Sequence, residues 1–173
     1  MVCAVFPGTF DPIHYGHIDI ARRAARLFDE IIIAVYDKPL KSLLFSPEIR
    51  IALVQQTFKE DQKIKVMGYS GLTVEFCHSV GAQAIVRGLR VFSDFEYEFR
   101  MALANHRLAL EIDTIALITA EEHTFLSSST VREIASLGGD VSSMVPAHVE
   151  MTLKERFNDL GEGQIHVSNS LRD

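Results

Sequence analysis

Only two cysteines, Cys3 and Cys77, occur among 173 residues, too few for a disulfide framework. Both fall within apolar segments, as buried thiols of a reducing compartment would. Basic residues are also in short supply: 17 Lys and Arg stand against 23 Asp and Glu, giving a formal net charge of -6 and a pI near 5.6. A protein that follows a nucleic-acid backbone would need the opposite surplus, so no nucleic-acid partner is expected. No apolar run approaches the roughly 20 residues of a membrane helix, and no leader is legible ahead of the first apolar segment. No membrane association is expected, and a cytoplasmic location is. What is present, with 47% hydrophobic residues, suits one domain with a real core. Such a chain can still hold a small anion where its cations converge.

The chain is organised around its start. Residues 2–6 (VCAVF) are too short and too uniformly apolar for an amphipathic helix, and they read as a strand buried on both faces that ends at Pro7 and Gly8. Downstream, Ile18, Ile20, Ala21, Ala24, Ala25, Leu27 and Phe28 recur at helical spacing with Arg22, Arg23 and Arg26 opposite, so a helix begins near Gly16. His17 then sits in the first turn, where free N–H groups and the positive end of the helix dipole favour phosphate. Two plainer readings remain. Gly8 and Gly16 could serve turn geometry alone, and His14 with His17 could bind metal, although that spacing with only Asp11 nearby is a poor zinc pattern.

Further along, residues 30–36, 63–68, 82–86 and 113–119 read as four more strands, alternating with helices. Lys38, Lys41 and Ser42 follow the second strand. Ser46-Pro47-Glu48 opens a helix as cap, first-position proline and first-turn acid, with Ile49, Ala52, Leu53, Gln56 and Thr57 facing inward. A helix over 73–80 ends at Gly81. The fourth strand runs directly into Arg87-Gly88-Leu89-Arg90, two cations at a strand's carboxyl end, where open α/β sheets bind ligands. Ser93 to Glu96 reads as a capping box for the longest helix, to about Leu110, which makes Glu96 a structural cap and leaves Glu98 open. After the fifth strand, Ser127-Ser128-Ser129 could present hydroxyls to an anion, while Thr130 to Glu133 also matches a plain capping box. A helix over 147–157 closes the domain, and residues 158–173, including His166, read as a polar, mobile tail. The alternation predicts an α/β fold: a doubly wound five-stranded parallel sheet, with the ligand at the switch point between the first and fourth strands.

Gly8-Thr9-Phe10-Asp11-Pro12-x-His14-x-Gly16-His17 resembles the signature of nucleotidyltransferases with a (T/H)xGH motif, and the Ser-Ser-Ser-x-x-Arg run ending at Arg132 resembles their second, triphosphate-binding signature. With Arg87-Gly88-Leu89-Arg90 and Asp94-Phe95-Glu96-Tyr97-Glu98 added, residues 2–157 resemble the bacterial phosphopantetheine adenylyltransferases. The resemblance implies a Rossmann-like nucleotidyltransferase fold. It also implies adenylyl transfer from ATP to 4'-phosphopantetheine, yielding dephospho-coenzyme A and pyrophosphate. Mg2+ would arrive with ATP and not on protein ligands. A homohexamer and feedback inhibition by coenzyme A are implied as well.

By the same resemblance His17, Lys41 and Arg90 are catalytic, His17 stabilising the pentacovalent α-phosphorus and Arg90 facing the phosphates. Thr9 orients the attacking phosphate, and the Thr9 to Phe10 backbone touches ATP. Lys41 and Arg87 hold the acceptor, while Thr73, beside Leu72, meets its pantetheine arm. Gly88 and Leu89 line the ATP site, which Glu98, His123, Thr124, Phe125, Leu126, Ser127, Ser128 and Ser129 complete. The chain departs from the family at His123, where Trp or Tyr is common, and at Thr119-Ala120, which replaces a frequent proline turn. A nicotinamide mononucleotide adenylyltransferase and a non-catalytic nucleotide sensor are the rival readings; a sensor should have lost His17, Lys41 and Arg90.

Overall fold

Each apolar run in the first two-thirds of the chain is too short to do anything but pair with its neighbours, and pairing them in parallel requires the intervening segments to cross over as helices. The computed structural model describes residues 2–38, 42–90 and 92–161 and has this form. The strands are β1 Cys3–Gly8, β2 Glu30–Tyr36, β3 Ile64–Tyr69, β4 Ala84–Leu89 and β5 Asp113–Ile118. The helices are α1 Tyr15–Leu27, α2 Pro47–Thr57, α3 Thr73–Val80, α4 Phe92–Leu108, α5 Ser128–Ser136 and α6 Ala147–Gly161, with a 3-10 turn at Glu121–His123. All pairings are parallel, in the order β3-β2-β1-β4-β5. Strand order therefore reverses between β1 and β4, as expected for a doubly wound sheet. No helix among the described residues is long and apolar enough to cross a membrane.

Period-two alternation divides the core into two layers. Ala4, Phe6, Ile31, Ile33 and Val86 face α1, α2, α5 and α6; Cys3, Val5, Ile32, Ala34 and Ile85 face Val74 and Cys77 of α3 and the segment after α4. Burial raises the pKa of Cys77 to about 11, so its thiol stays protonated at neutral pH.

Several boundaries differ from the sequence reading for physical reasons. β1 continues through Pro7 and Gly8, which pair with Ala34 and Val35 of β2. Its ladder with β4 covers only Ala4 and Val5, so at Pro7 one side of the strand is open and a missing N–H is tolerated. β4 takes in Arg87 to Leu89 because β5 holds it as far as the Leu89–Ile118 pair. At the end of α1, Leu27 points to solvent and not into the core. The inner face of α2 is Arg50, Leu53 and Val54, while Ile49 is 41% exposed. α4 starts at Phe92, which puts Ser93 inside the helix instead of at its cap; Glu96 is exposed, 3.7 Å from Arg100. α5 is capped by Ser127, whose Oγ accepts from the Thr130 N–H at 3.0 Å, so no separate box forms at Thr130 to Glu133. α6 extends to Gly161, past the expected end at 157. The rest of the expected tail, 162–173, lies outside the described residues.

Candidate active site

Where β1 and β4 part after Val5 and Ile85, the sheet opens into a cleft of about 320 Å³. Its walls are the β1–α1 loop, the end of β4, the first turns of α4 and the start of α5. The loop closes tightly because neither Gly8 nor Gly16 carries a side chain: a Cβ on Gly8 would lie 3.0 Å from the Phe10 ring, and one on Gly16 3.1 Å from the His14 ring. Close approach, and not left-handed backbone, is what requires these two glycines. Phe10 itself adopts φ 49, an unusual value for a side-chain-bearing residue, and is held there by complete burial with its ring edge-on to Phe6 and His17.

His14 forms the N-cap of α1, and its ring stacks on that of His17 with centroids 3.7 Å apart. The His14 backbone N–H donates to His17 Nδ1 at 3.4 Å. Nδ1 is thereby an acceptor, so in the neutral ring the proton sits on Nε2. Burial, reinforced by the charges of Arg90 and His123, lowers the pKa of His14 to about 3, and its buried Nδ1 has no hydrogen-bond partner. Stacked rings direct their lone pairs side by side, which does not suit two ligands converging on one metal. Asp11 is fully buried and committed elsewhere: it accepts from the N–H groups of Leu44 at 2.8 Å and Phe45 at 3.0 Å and from Arg132 Nη1 at 2.6 Å.

The cations on the opposite wall are already oriented. Arg87 donates through Nε and Nη2 to the two Glu98 oxygens, both at 2.6 Å, and through Nη1 to the Pro7 carbonyl at 2.8 Å. Burial pulls the Arg87 pKa down, but the Glu98 carboxylate outweighs it and holds the group above its ordinary value. Arg90 lies on Asp94, one helical turn on, through Nε at 3.0 Å and Nη2 at 3.3 Å, and donates through Nη1 to the Leu126 carbonyl at 2.8 Å. This last bond ties β4 to the serine loop, where Ser128 Oγ donates to the Pro12 carbonyl at 2.9 Å. The result is a concave, cation-lined helix N-terminus, suited to a phosphate chain.

Comparison with known proteins agrees with this geometry. Residues 5–134 match the cytidylyltransferase-like family. Curated proteins named phosphopantetheine adenylyltransferase from Roseiflexus sp. (strain RS-1), Herpetosiphon aurantiacus and Desulfitobacterium hafniense (strain Y51) are 52%, 50% and 48% identical to it. Each alignment covers 91% of this chain and 98%, 95% and 97% of the relative, respectively. The chain belongs to the phosphopantetheine adenylyltransferases. A solved structure from Vibrio parahaemolyticus, described provisionally as a nicotinate-nucleotide adenylyltransferase, superposes with a TM-score of 0.68 over 89% of this chain and 99% of its own. At 19% identity that likeness speaks for the fold alone.

Of the positions that resemblance to the phosphopantetheine adenylyltransferases singled out, Thr9, Phe10, His17, Arg87, Gly88, Arg90, Glu98 and the three serines all line the cleft. Thr73 does not: it begins α3, with Oγ1 3.1 Å from the Tyr69 hydroxyl. Leu89 ends β4, Leu126 is buried and contributes its carbonyl, and Phe125 is largely exposed. The His123 Cβ lies 3.6 Å from where a Gly16 Cβ would sit, at the cleft's edge, and Thr124 Oγ1 donates to the Ala120 carbonyl at 3.4 Å. Lys41 lies outside the described residues. Two residues that line the cleft received no role of their own in the sequence reading: His14, read within the first motif and as a weak metal ligand, and Asp94, read within a motif but detectable as the i+4 partner of Arg90.

Proposed function

We propose that the protein transfers the adenylyl group of ATP to 4'-phosphopantetheine. An oxygen of the acceptor phosphate attacks the α-phosphorus, the bond from that phosphorus to the α,β-bridging oxygen breaks, and pyrophosphate leaves with dephospho-coenzyme A as the other product. A phosphate monoester is largely dianionic near neutral pH, so the nucleophile needs no protein base. The need is for alignment and for donors aimed at developing charge. The observation that carries this reading is the meeting, in one cleft at the switch point, of His17 at a helix N-terminus with Arg87 of β4 and Arg90 just after it.

In this reading His17 Nε2–H donates to an α-phosphate oxygen as the pentacovalent state forms, and Arg90 faces the departing phosphates. Thr9 orients the acceptor phosphate, with Arg87 and Lys41 opposing its charge and Thr73 beside the pantetheine arm. The Thr9 to Phe10 backbone, Gly88, Leu89, Glu98 and the loop from His123 through Ser129 hold the nucleotide. Magnesium enters as part of the ATP substrate. Assembly into a homohexamer and inhibition by coenzyme A belong to the same reading. Phe95, Tyr97, Phe99 and Leu103 on α4, with Ile118 on the edge strand β5, are all exposed and support self-association. The unpaired buried thiols of Cys3 and Cys77 support a reducing, cytoplasmic setting.

Pyrophosphate release from magnesium-ATP, with 4'-phosphopantetheine in one reaction and nicotinamide mononucleotide in another, tests the proposal. Release only with the first acceptor is expected. Release with the second would retain the site but overturn the acceptor, and silence in both would favour a nucleotide sensor.

A further inference from the structure

The second signature runs from Ser127 to Arg132, and the structure divides it. Ser127, Ser128 and Ser129 line the cleft, whereas Arg132, a turn further along α5, is not among the described residues that do. Its Nη1 instead spends both N–H groups on one residue of the first signature, donating to the Asp11 carbonyl at 2.7 Å and to Asp11 Oδ2 at 2.6 Å. Asp11 is fully buried, and its carboxylate also accepts from the Leu44 and Phe45 N–H groups. Ser128 Oγ adds a bond to the carbonyl of Pro12, the next residue of the loop. From the other side, the Arg50 guanidinium donates to the carbonyls of Thr9, Tyr36, Asp37 and Phe45. The loop is therefore held at Thr9, Asp11 and Pro12, on either side of the buried Phe10.

A carboxylate sealed from water is a costly tie, and an apolar pair of similar volume would join α5 to the loop without that cost. What the ion pair adds is geometry. Two bonds from one planar nitrogen to the carbonyl and the carboxylate of a single residue admit little rotation, so the two elements keep one separation. These elements are two walls of the cleft: the loop with Thr9 and Phe10, and the first turn of α5 with the serines. Phosphoryl transfer depends on placement, and about 1 Å of slack between such walls costs on the order of 100-fold in rate. We propose, resting on the adenylyl-transfer reading, that Arg132 is a positioning residue that clamps the two signatures together through Asp11. It touches no phosphate, unlike Arg90.

The test uses the full-length enzyme, Arg132→Gln, Asp11→Asn and the double variant. Arg132→Gln should lower kcat about tenfold or more, while the ATP dissociation constant from calorimetry stays within about threefold of wild type, because the groups that meet ATP are all still present. An unchanged kcat would make the pair merely structural, and an ATP affinity that falls as far as kcat would make Arg132 a phosphate ligand; either overturns the proposal. In the Asp11→Asn background, Arg132→Gln should cost less than about twofold in kcat, since its partner is already altered. The same loss in both backgrounds would overturn the action through Asp11. Should the variants fail to fold, nitrogen-15 resonances of the arginine side chains in the wild-type protein decide. On adding magnesium-ATP without acceptor, those of Arg90 should move and those of Arg132 should not; equal movement overturns the proposal. A wild-type enzyme silent with both acceptors sinks the adenylyl-transfer reading and this inference with it, whereas an active wild type beside an indifferent Arg132→Gln sinks the inference alone.

Discussion

Arginines hold the end of β1 and its loop from two sides, and their partners set them apart. On the side of α2, Arg50 is sealed from solvent and bound to neutral carbonyls. On the side of α4, Arg87 and Arg90 keep about a third of their side-chain surface, 29% and 36%, and each rests on a carboxylate. A guanidinium committed to carbonyls is a fixed strut, because nothing that enters the cleft can compete for donors it never presents. One resting on a carboxylate is oriented in advance and still offers unused N–H groups, so an arriving phosphate meets donors that need little reorganisation. The same residue type thus forms a fixed strut on one side and oriented, partly exposed donors on the other, according to burial and partner.

This contrast is open to attack by substitution. Arg50→Ala should have the largest effect, a loss of about 3–5 kcal/mol in urea unfolding, since it strips four buried carbonyls of their donor at once. A cost below 1 kcal/mol would show that the strut is dispensable. His17→Ala should lower kcat by about 100- to 1,000-fold, on the order of 3–4 kcal/mol of barrier, while the ATP dissociation constant measured by calorimetry changes far less. Equal losses in both would remove His17 from the transition state.

His14 sharpens the contrast through pH. Its folded pKa of about 3 lies below the unfolded value near 6.5, so between these limits the unfolded chain takes up a proton that the native protein refuses. Its stabilising contribution is intact above pH 6.5 and declines as pH falls towards 3, by about 2 kcal/mol at pH 5. Urea titrations at pH 7 and pH 5 should give a smaller pH difference for His14→Gln than for wild type. Asp94→Asn should cost about tenfold in kcat by loosening Arg90, with stability little changed. Glu96→Gln, on the same helix but exposed and 3.7 Å from its partner, should match wild type in both assays.

Much of the fold was legible because local signals agreed with the tertiary result. β2 spans 30–36 as its β-branched run predicts, and α3 ends at Gly81, whose φ of 69 suits glycine. That residues from the three motif stretches line one cleft was legible too, since as strings they have no other reason to occur together. The phase of α2 was not. An inward face at 50, 53 and 54 is invisible when Arg is counted as an outward residue, and the partners that reverse this are carbonyls of Thr9, Tyr36, Asp37 and Phe45, to which sequence gives no pointer. The start of α4 was misplaced for a related reason: Ser93 and Glu96 satisfy a capping pattern, but the helix has already begun at Phe92.

The chain by itself determined the parallel sheet, the place where strand order reverses and the residue types gathered there, because hydrophobic periodicity and strand length act locally. Only the tertiary structure decided which cations stay available to a ligand. That choice depends on which carbonyls and carboxylates lie within 3 Å of each guanidinium, a matter of how distant segments meet.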